Sequence, residues 1–345
     1  MHLIVDIRSS FPINPIIILY ASNWVDLWHT RHPEHRISYI HFSHQECPPN
    51  GQSVIVSQPT WWGRGKRLRS KGTSEIFRCV NFSKYPPYDS KIETISHIFD
   101  YVDILYPKIE PTGIQKILKV QSKNKINKSY KIIVPSLQVG QESVSLIDTK
   151  EESIEIIPYL EFQKNTNYTN ILSQLSITGK YWIYDGSYGS EANIPNLLQG
   201  YKTYRELGGT YTLILMGLLV GMELRNISDQ IQKMNLTGFV RIIGTLEAKD
   251  IESLYQNANG WIYIGAYYAG GPKIELARTY HIPLLISHIP TFQDFFDNSI
   301  TIHPNHLSTL GSLLQELETS KKEFYQKITN EKIMQAYEKI IAEKS

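Results

Sequence analysis

Cysteine is nearly missing from this chain: its 345 residues include two, Cys47 and Cys79. Two thiols so far apart give neither a disulfide framework nor a metal-binding spacing, which sets aside disulfide scaffolds and zinc modules. An excess of one charge is missing too, since 35 basic and 33 acidic residues leave a net +2. That balance offers no bulk attraction for nucleic acid. Long apolar runs are also lacking. "PIIILYA" near the start falls far short of the roughly 20 residues of a membrane span. The opening "MHLIVDIRSS" contains an acid and reads as a strand, not a secretion signal. No serine stands in G-x-S-x-G, no G-x-x-x-x-G-K-[ST] occurs, and no G-x-G-x-x-G follows a strand. Serine-hydrolase, P-loop and dinucleotide-oxidoreductase readings fall with those motifs. Cytoplasmic residence is the default expectation.

What is present is a chain of 41% hydrophobic residues, too long for one core and suited to two domains of ordinary size. "LIVDI", "ISYIHF", "SVIVS", "FRCVNF", "TISHIF" and "KIIVPS" are short β-rich runs, several apolar at nearly every position. Such runs suit a parallel sheet covered on both faces. A polar stretch rich in Asn and Thr, residues 161–180, reads as a linker, so the domains are expected at 1–175 and 176–345. Beyond it strands and helices alternate. "YWIYDGS" leads to the helix "NIPNLLQGYKTYREL", whose Ile194, Leu197, Leu198, Tyr201 and Tyr204 share a face before Gly208-Gly209. "YTLILMG", "GFVRIIG", "GWIYIG", "IPLLIS" and "SITIHP" follow as strands separated by helices, one with Ser228 as its expected N-cap, and the chain ends in helices. The expected class is α/β: two Rossmann-like domains facing a central cleft, with terminal helices. Ligands of such sheets bind beyond the carboxyl ends of the strands.

The loops at those ends are therefore where chemistry is sought, and "AYYAGGPKIELARTY" stands out. Gly270-Gly271 would let backbone approach a ligand without side-chain interference, and Pro272 suits a helix start. Free N–H groups of that first turn would face an anion such as a diphosphate. Glu275, one turn in, would accept hydrogen bonds from a ribose diol; the plainer alternative is a turn followed by a favourable N-terminal acid. "WWGRGKRLRSKG", residues 61–72, mixes tryptophans with cations and fits a solvated basic loop, a membrane headgroup interface or a phosphorylated acceptor.

The order of these elements resembles the GT-B glycosyltransferases, most closely glycosyltransferase family 4. The family's E-G-F-G-L-P-x-x-E loop is paralleled by "YYAGGPKIE", its strand–Gly turn before a helix by "DGSYGSEANIPNLLQGY", and its P-V-V-x-S segment by "PLLIS". In the first half, "VDIR", "TISHIFDYVDILYP" and "KIIVPSLQVG…IEIIPYL" are similar to family strands. The resemblance implies a metal-independent, cofactor-free transferase moving a sugar, with retention, from a nucleotide-diphosphate sugar to a hydroxyl acceptor. It implies that Glu275 holds the ribose, that the Gly270 and Gly271 amides face the diphosphate, that Ser187 and Tyr188 line the same pocket, and that His97 faces the sugar as the catalytic-side histidine. Tyr267 stands where the family has a glutamate that touches the donor sugar, and the family's basic pair falls on Glu191 and Ala192. Lys273 or Arg225 would then supply the missing cation. The same substitutions also fit a catalytically degenerate GT-B protein that acts as a binding or scaffold subunit. The expected partners are the donor, a glycan, lipid-linked or protein acceptor, and no nucleic acid, with peripheral contact at the inner face of the membrane.

Overall fold

Runs such as Leu3-Ile4-Val5 and Leu213-Ile214-Leu215 are apolar on both sides of the pleat, which only a central strand covered on both faces can accommodate. They are buried strands in a computed structural model that describes residues 1–8, 15–42, 51–56, 77–82, 92–107, 123–124, 126–164, 171–217, 221–268, 271–320 and 329–343. The stretch 61–72 and Gly270 lie outside the described residues. Two compact units divide the chain, Met1–Leu160 with Ile328–Ser345, and Glu161–Lys327.

The first unit contains β1 (His2–Asp6), α1 (Pro15–Arg31), β2 (Arg36–Phe42), β3 (Gln52–Val56), β4 (Phe77–Asn81), β5 (Glu93–His97), α2 (Val102–Leu105), β6 (Lys131–Val134), α3 (Leu137–Ile147) and β7 (Ile154–Ile156). Its seven strands run in the order β3-β2-β1-β4-β5-β6-β7, all parallel. Helix α1 buries Ile16, Tyr20, Trp24 and Trp28, four residues apart on one face. Trp24 and Trp28 stack at 5.2 Å between ring centroids. Ser136 caps α3 by accepting from the Val139 N–H.

The second unit contains β8 (Tyr181–Asp185), α4 (Ile194–Glu206), β9 (Thr212–Met216), α5 (Gly221–Lys233), β10 (Val240–Ile243), α6 (Ala248–Gln256), β11 (Trp261–Tyr263), α7 (Lys273–Thr279), β12 (Leu284–Ser287), β13 (Ile300–Ile302) and α8 (Leu310–Thr319). Its parallel strands lie in the order β10-β9-β8-β11-β12-β13, so the chain reverses direction across the sheet between β8 and β11. The loops after those two strands therefore meet at a switch point, the place where open α/β sheets take ligands. The apolar face expected for α4 is the buried one, holding Leu197, Leu198, Tyr201 and Tyr204.

Two expectations need correcting. Ser228 caps nothing: it lies inside α5, which begins at Gly221 and buries Ile227 and Ile231 on either side of it. The last helix, α9 (Asn330–Ala342), belongs with the first unit, and the division falls at residue 160 instead of 175. Helix α9 buries Ile333, Met334, Tyr337, Ile340 and Ile341. Its Ile340 carbonyl accepts from Arg78, and Glu338 accepts from Arg31 at 2.7 and 3.1 Å. A helical pattern read along the sequence cannot say which sheet that face will cover.

Candidate active site

Strand β8 is wholly buried and ends on a carboxylate, Asp185, 2% exposed. A charge taken that far from water needs partners. It has two: Lys273 Nζ at 2.5 Å and the Tyr255 hydroxyl at 2.9 Å, which in turn accepts from Trp261 Nε1 at 3.1 Å. Burial, reinforced by the Asp185 charge, pushes the Tyr255 phenol well above its ordinary range, so it stays a donor. Lys273 opens α7, so this pair ties the end of β8 to the loop after β11.

That loop is held from inside by tyrosines. Tyr263 donates to the Tyr267 carbonyl, and the Tyr268 hydroxyl accepts from the Ile274 N–H at 3.3 Å. Tyr268 packs on Phe292 at 4.6 Å and edge-on to Tyr263 at 5.0 Å. Gly271 has φ +60°, a left-handed conformation that a side chain would strain. Glu275 sits in the first turn of α7, 4% exposed, and pairs with Arg278 one turn on. The loop after β8 is stapled across: the Glu191 carbonyl accepts from the Ala266 N–H at 2.7 Å, and Asn193 Nδ2 donates to the Ile264 and Pro304 carbonyls at 3.1 Å each.

Ser187 and Tyr188 thus lie on the loop after β8, Tyr267 and Gly271 on the loop after the neighbouring β11, and Lys273 and Glu275 in the first turn of α7, which follows it. Individual surroundings differ from the expectation. The Tyr188 hydroxyl donates to the Met216 carbonyl at 2.6 Å, so it braces the end of β9. Ser187 Oγ is buried with no hydrogen-bond partner among the described residues, and the Ser187 carbonyl accepts from Tyr184 at 2.5 Å. Lys273 is no free cation, because Asp185 holds it. Glu191 and Ala192, where the family has its basic pair, are 2% and 0% exposed, and neither carboxylate oxygen of Glu191 has a hydrogen-bond partner among the described residues. Arg225 is exposed on α5.

His97 lies in the other unit, at the end of β5. A carbonyl oxygen can only accept, so its Nδ1 carries the proton donated to Asn81 O at 3.3 Å. Its Nε2 then accepts from the Tyr337 hydroxyl at 2.8 Å. Phe82 stacks on the ring at 4.2 Å. Burial pushes its pKa down to about 3, so it is neutral at physiological pH. With both nitrogens occupied, the ring has nothing left for a sugar in this arrangement. In the same unit, Asp6 accepts from Arg8 Nε at 2.9 Å, and Asp100 accepts from the Val102 N–H at the start of α2.

Asp185, Tyr255 and Tyr263 were not singled out in the sequence. A signal existed for the first: "YWIYDG" places one acid at the end of an otherwise apolar strand, beside a glycine.

No protein-family model matches the chain. In sequence, the O-antigen chain mannosyltransferase B of Escherichia coli is 26% identical over 141 residues, 40% of this chain and 37% of that protein's length. Solved structures match far more of the chain. WaaG, a glycosyltransferase involved in lipopolysaccharide biosynthesis, has a TM-score of 0.67 at 13% identity, covering 92% of this chain and 90% of that one. HepE of Anabaena, solved in complex with UDP and glucose, has a TM-score of 0.65 at 12% identity over the same shares. The fold is GT-B-like. Sucrose-phosphate synthase of Thermosynechococcus elongatus shares this GT-B-like fold, with a TM-score of 0.65 at 13% identity, covering 93% and 90% of the two chains. The resemblance to family 4 drawn from the loop motifs therefore agrees with the architecture.

Proposed function

We propose that this protein is a glycosyltransferase that moves a sugar from a nucleotide-diphosphate sugar to a hydroxyl acceptor, with retention and without a metal. The observation that carries the reading is Glu275, buried in the first turn of α7 at the switch point of a GT-B-like second unit and oriented by Arg278. In this reading Glu275 holds the ribose, and backbone N–H groups around Gly270 and Gly271 meet the diphosphate. The acceptor oxygen bonds to the anomeric carbon as the carbon–oxygen bond to the diphosphate breaks, and the acceptor proton leaves on a diphosphate oxygen.

Negative charge builds on that leaving group and needs donors already in place. Lys273 opens α7 directly after that loop, and the proposal has the arriving diphosphate share it with Asp185. Ser187 Oγ, unpartnered, is a second donor on the adjoining loop. Tyr188 and Tyr267 shape the site from beneath. His97 is assigned a bracing role, joining β5 to α9. Cytoplasmic location and contact with a membrane surface are part of the proposal; no helix among the described residues is long and apolar enough to cross a membrane.

A second reading is a catalytically degenerate GT-B protein. Glu191 favours it, since an unpaired carboxylate in place of a cation repels a diphosphate. The deciding experiment incubates the protein with UDP-, GDP- and ADP-sugars and follows release of the nucleoside diphosphate. Release that depends on Lys273 and Glu275 supports the transferase. Nucleotide binding without release supports the degenerate form.

A further inference from the structure

A groove of about 480 Å³ runs along the outer side of α4 and α8 in the second unit. Its lining shares only Asn193 and Pro304, which are hydrogen-bonded to each other, with the contacts already described. On α4 it presents Asn196, Gln199 and Thr203, at helical spacing, and from the turn after β13 it presents Asn305 and Ser308. No charged and no aromatic residue lines it among the described residues.

The concavity is built from backbone. Gly200 stands in the middle of α4, where glycine costs about 1 kcal/mol relative to alanine. A β-carbon there would strike Leu310, and one on Gly311 would lie 2.7 Å from Thr203 Cγ2. The two helices therefore pack closely, Leu310 seated on Gly200 and Thr203 on Gly311, and the groove lies beside that contact.

The lining selects by chemistry. A phosphate or carboxylate would need a cation, and a nucleobase would need an aromatic or apolar sandwich; the groove has neither. Side-chain amides and hydroxyls each donate and accept, as sugar hydroxyls do. Asn193 spends Nδ2 on two backbone carbonyls and keeps Oδ1 as an acceptor. Pro304 and Leu307 offer small apolar patches of a size to meet the C–H face of a sugar ring. We propose that this groove binds a neutral glycan chain, at a place separate from the donor loops. The inference does not depend on transfer activity.

The test uses the full chain and two neutral tetrasaccharides, maltotetraose and α-mannotetraose, read by saturation-transfer NMR and calorimetry. The expected result is saturable binding of at least one, weakened at least tenfold by the paired substitutions Asn196→Ala and Gln199→Ala and unchanged by excess UDP. Both substitutions fall on exposed helix positions, so folding is retained; Thr203→Trp, which fills the groove, should abolish the signal. Absence of binding by both tetrasaccharides overturns the proposal. So does competition by UDP, insensitivity to the double substitution, or equal binding of oligogalacturonate or a neutral Gly-Ser peptide. Failure to bind any of UDP, GDP and ADP would defeat the transferase reading and leave this result standing.

Discussion

Strand β5 of the first unit and strand β8 of the second both end on an ionisable side chain, and the two ends are finished differently. At β5, His97 is neutral and each ring nitrogen has a partner, with aromatic rings around it. At β8, Asp185, Lys273, Glu275 and Arg278 form ion pairs partly or fully withdrawn from water, while Ser187 Oγ and both Glu191 oxygens lack hydrogen-bond partners among the described residues. A closed, neutral network fixes a core. Buried ion pairs beside unsatisfied polar atoms cost stability, and such cost persists where a ligand completes the network. The difference supports the proposed placing of the site at β8 and β11, with a bracing role for His97 at β5.

Substitutions can break this comparison. The largest effect is expected for Lys273→Met, which leaves Asp185 as a buried charge with one neutral donor. Loss of a buried pair costs about 3–5 kcal/mol, measurable by urea denaturation, and turnover should fall below detection. Next is His97→Phe, which keeps the stacking but removes the acceptor of the Tyr337 hydroxyl and the donor to the Asn81 carbonyl, at about 1–3 kcal/mol. It should leave nucleotide affinity unchanged; a hundredfold loss there would restore His97 to the active site.

The same histidine gives a pH signature. Its folded pKa, about 3, lies below its ordinary 6.5, so the unfolded chain binds a proton that the folded chain refuses. This contribution is fully present above pH 6.5 and is lost as pH falls toward 3, by up to about 1.4 kcal/mol per unit. In His97→Phe that slope should disappear from a plot of stability against pH.

A smaller effect of opposite sign is expected at Glu191. Glu191→Gln replaces the buried, unpartnered carboxyl by a neutral group of the same shape and should tighten nucleoside-diphosphate binding severalfold, read by calorimetry. Unchanged affinity would mean that the carboxylate does not feel the diphosphate. Smallest is Glu338→Gln at the partly exposed contact with Arg31, within about 1 kcal/mol by thermal denaturation. The Arg31 hydrogen bond lowers the Glu338 pKa, so this contribution fades as the pH falls below about 4.5.

Much of the fold was legible in the sequence because both sheets are parallel and doubly covered, so their strands read as uninterrupted apolar runs and their helices as one-sided ones. The loop that carries Glu275 was legible for a different reason: Gly271 must adopt a positive φ, and few residues can take its place. What was not legible depends on long-range packing. Nothing local in "MQAYEKIIAEKS" says that Tyr337 will meet His97, and so the histidine read as a sugar contact. Lys273 likewise read as a free cation because its partner, Asp185, lies 88 positions away.

The central claim is that Glu275 and the loop before it hold a nucleoside diphosphate. Calorimetric titration of UDP, GDP and ADP into the wild-type chain, Glu275→Gln and His97→Phe tests it directly. The account predicts one-site binding of at least one nucleotide, weakened tenfold or more in Glu275→Gln and unaltered in His97→Phe. Binding by none of the three, or binding indifferent to Glu275, would contradict it.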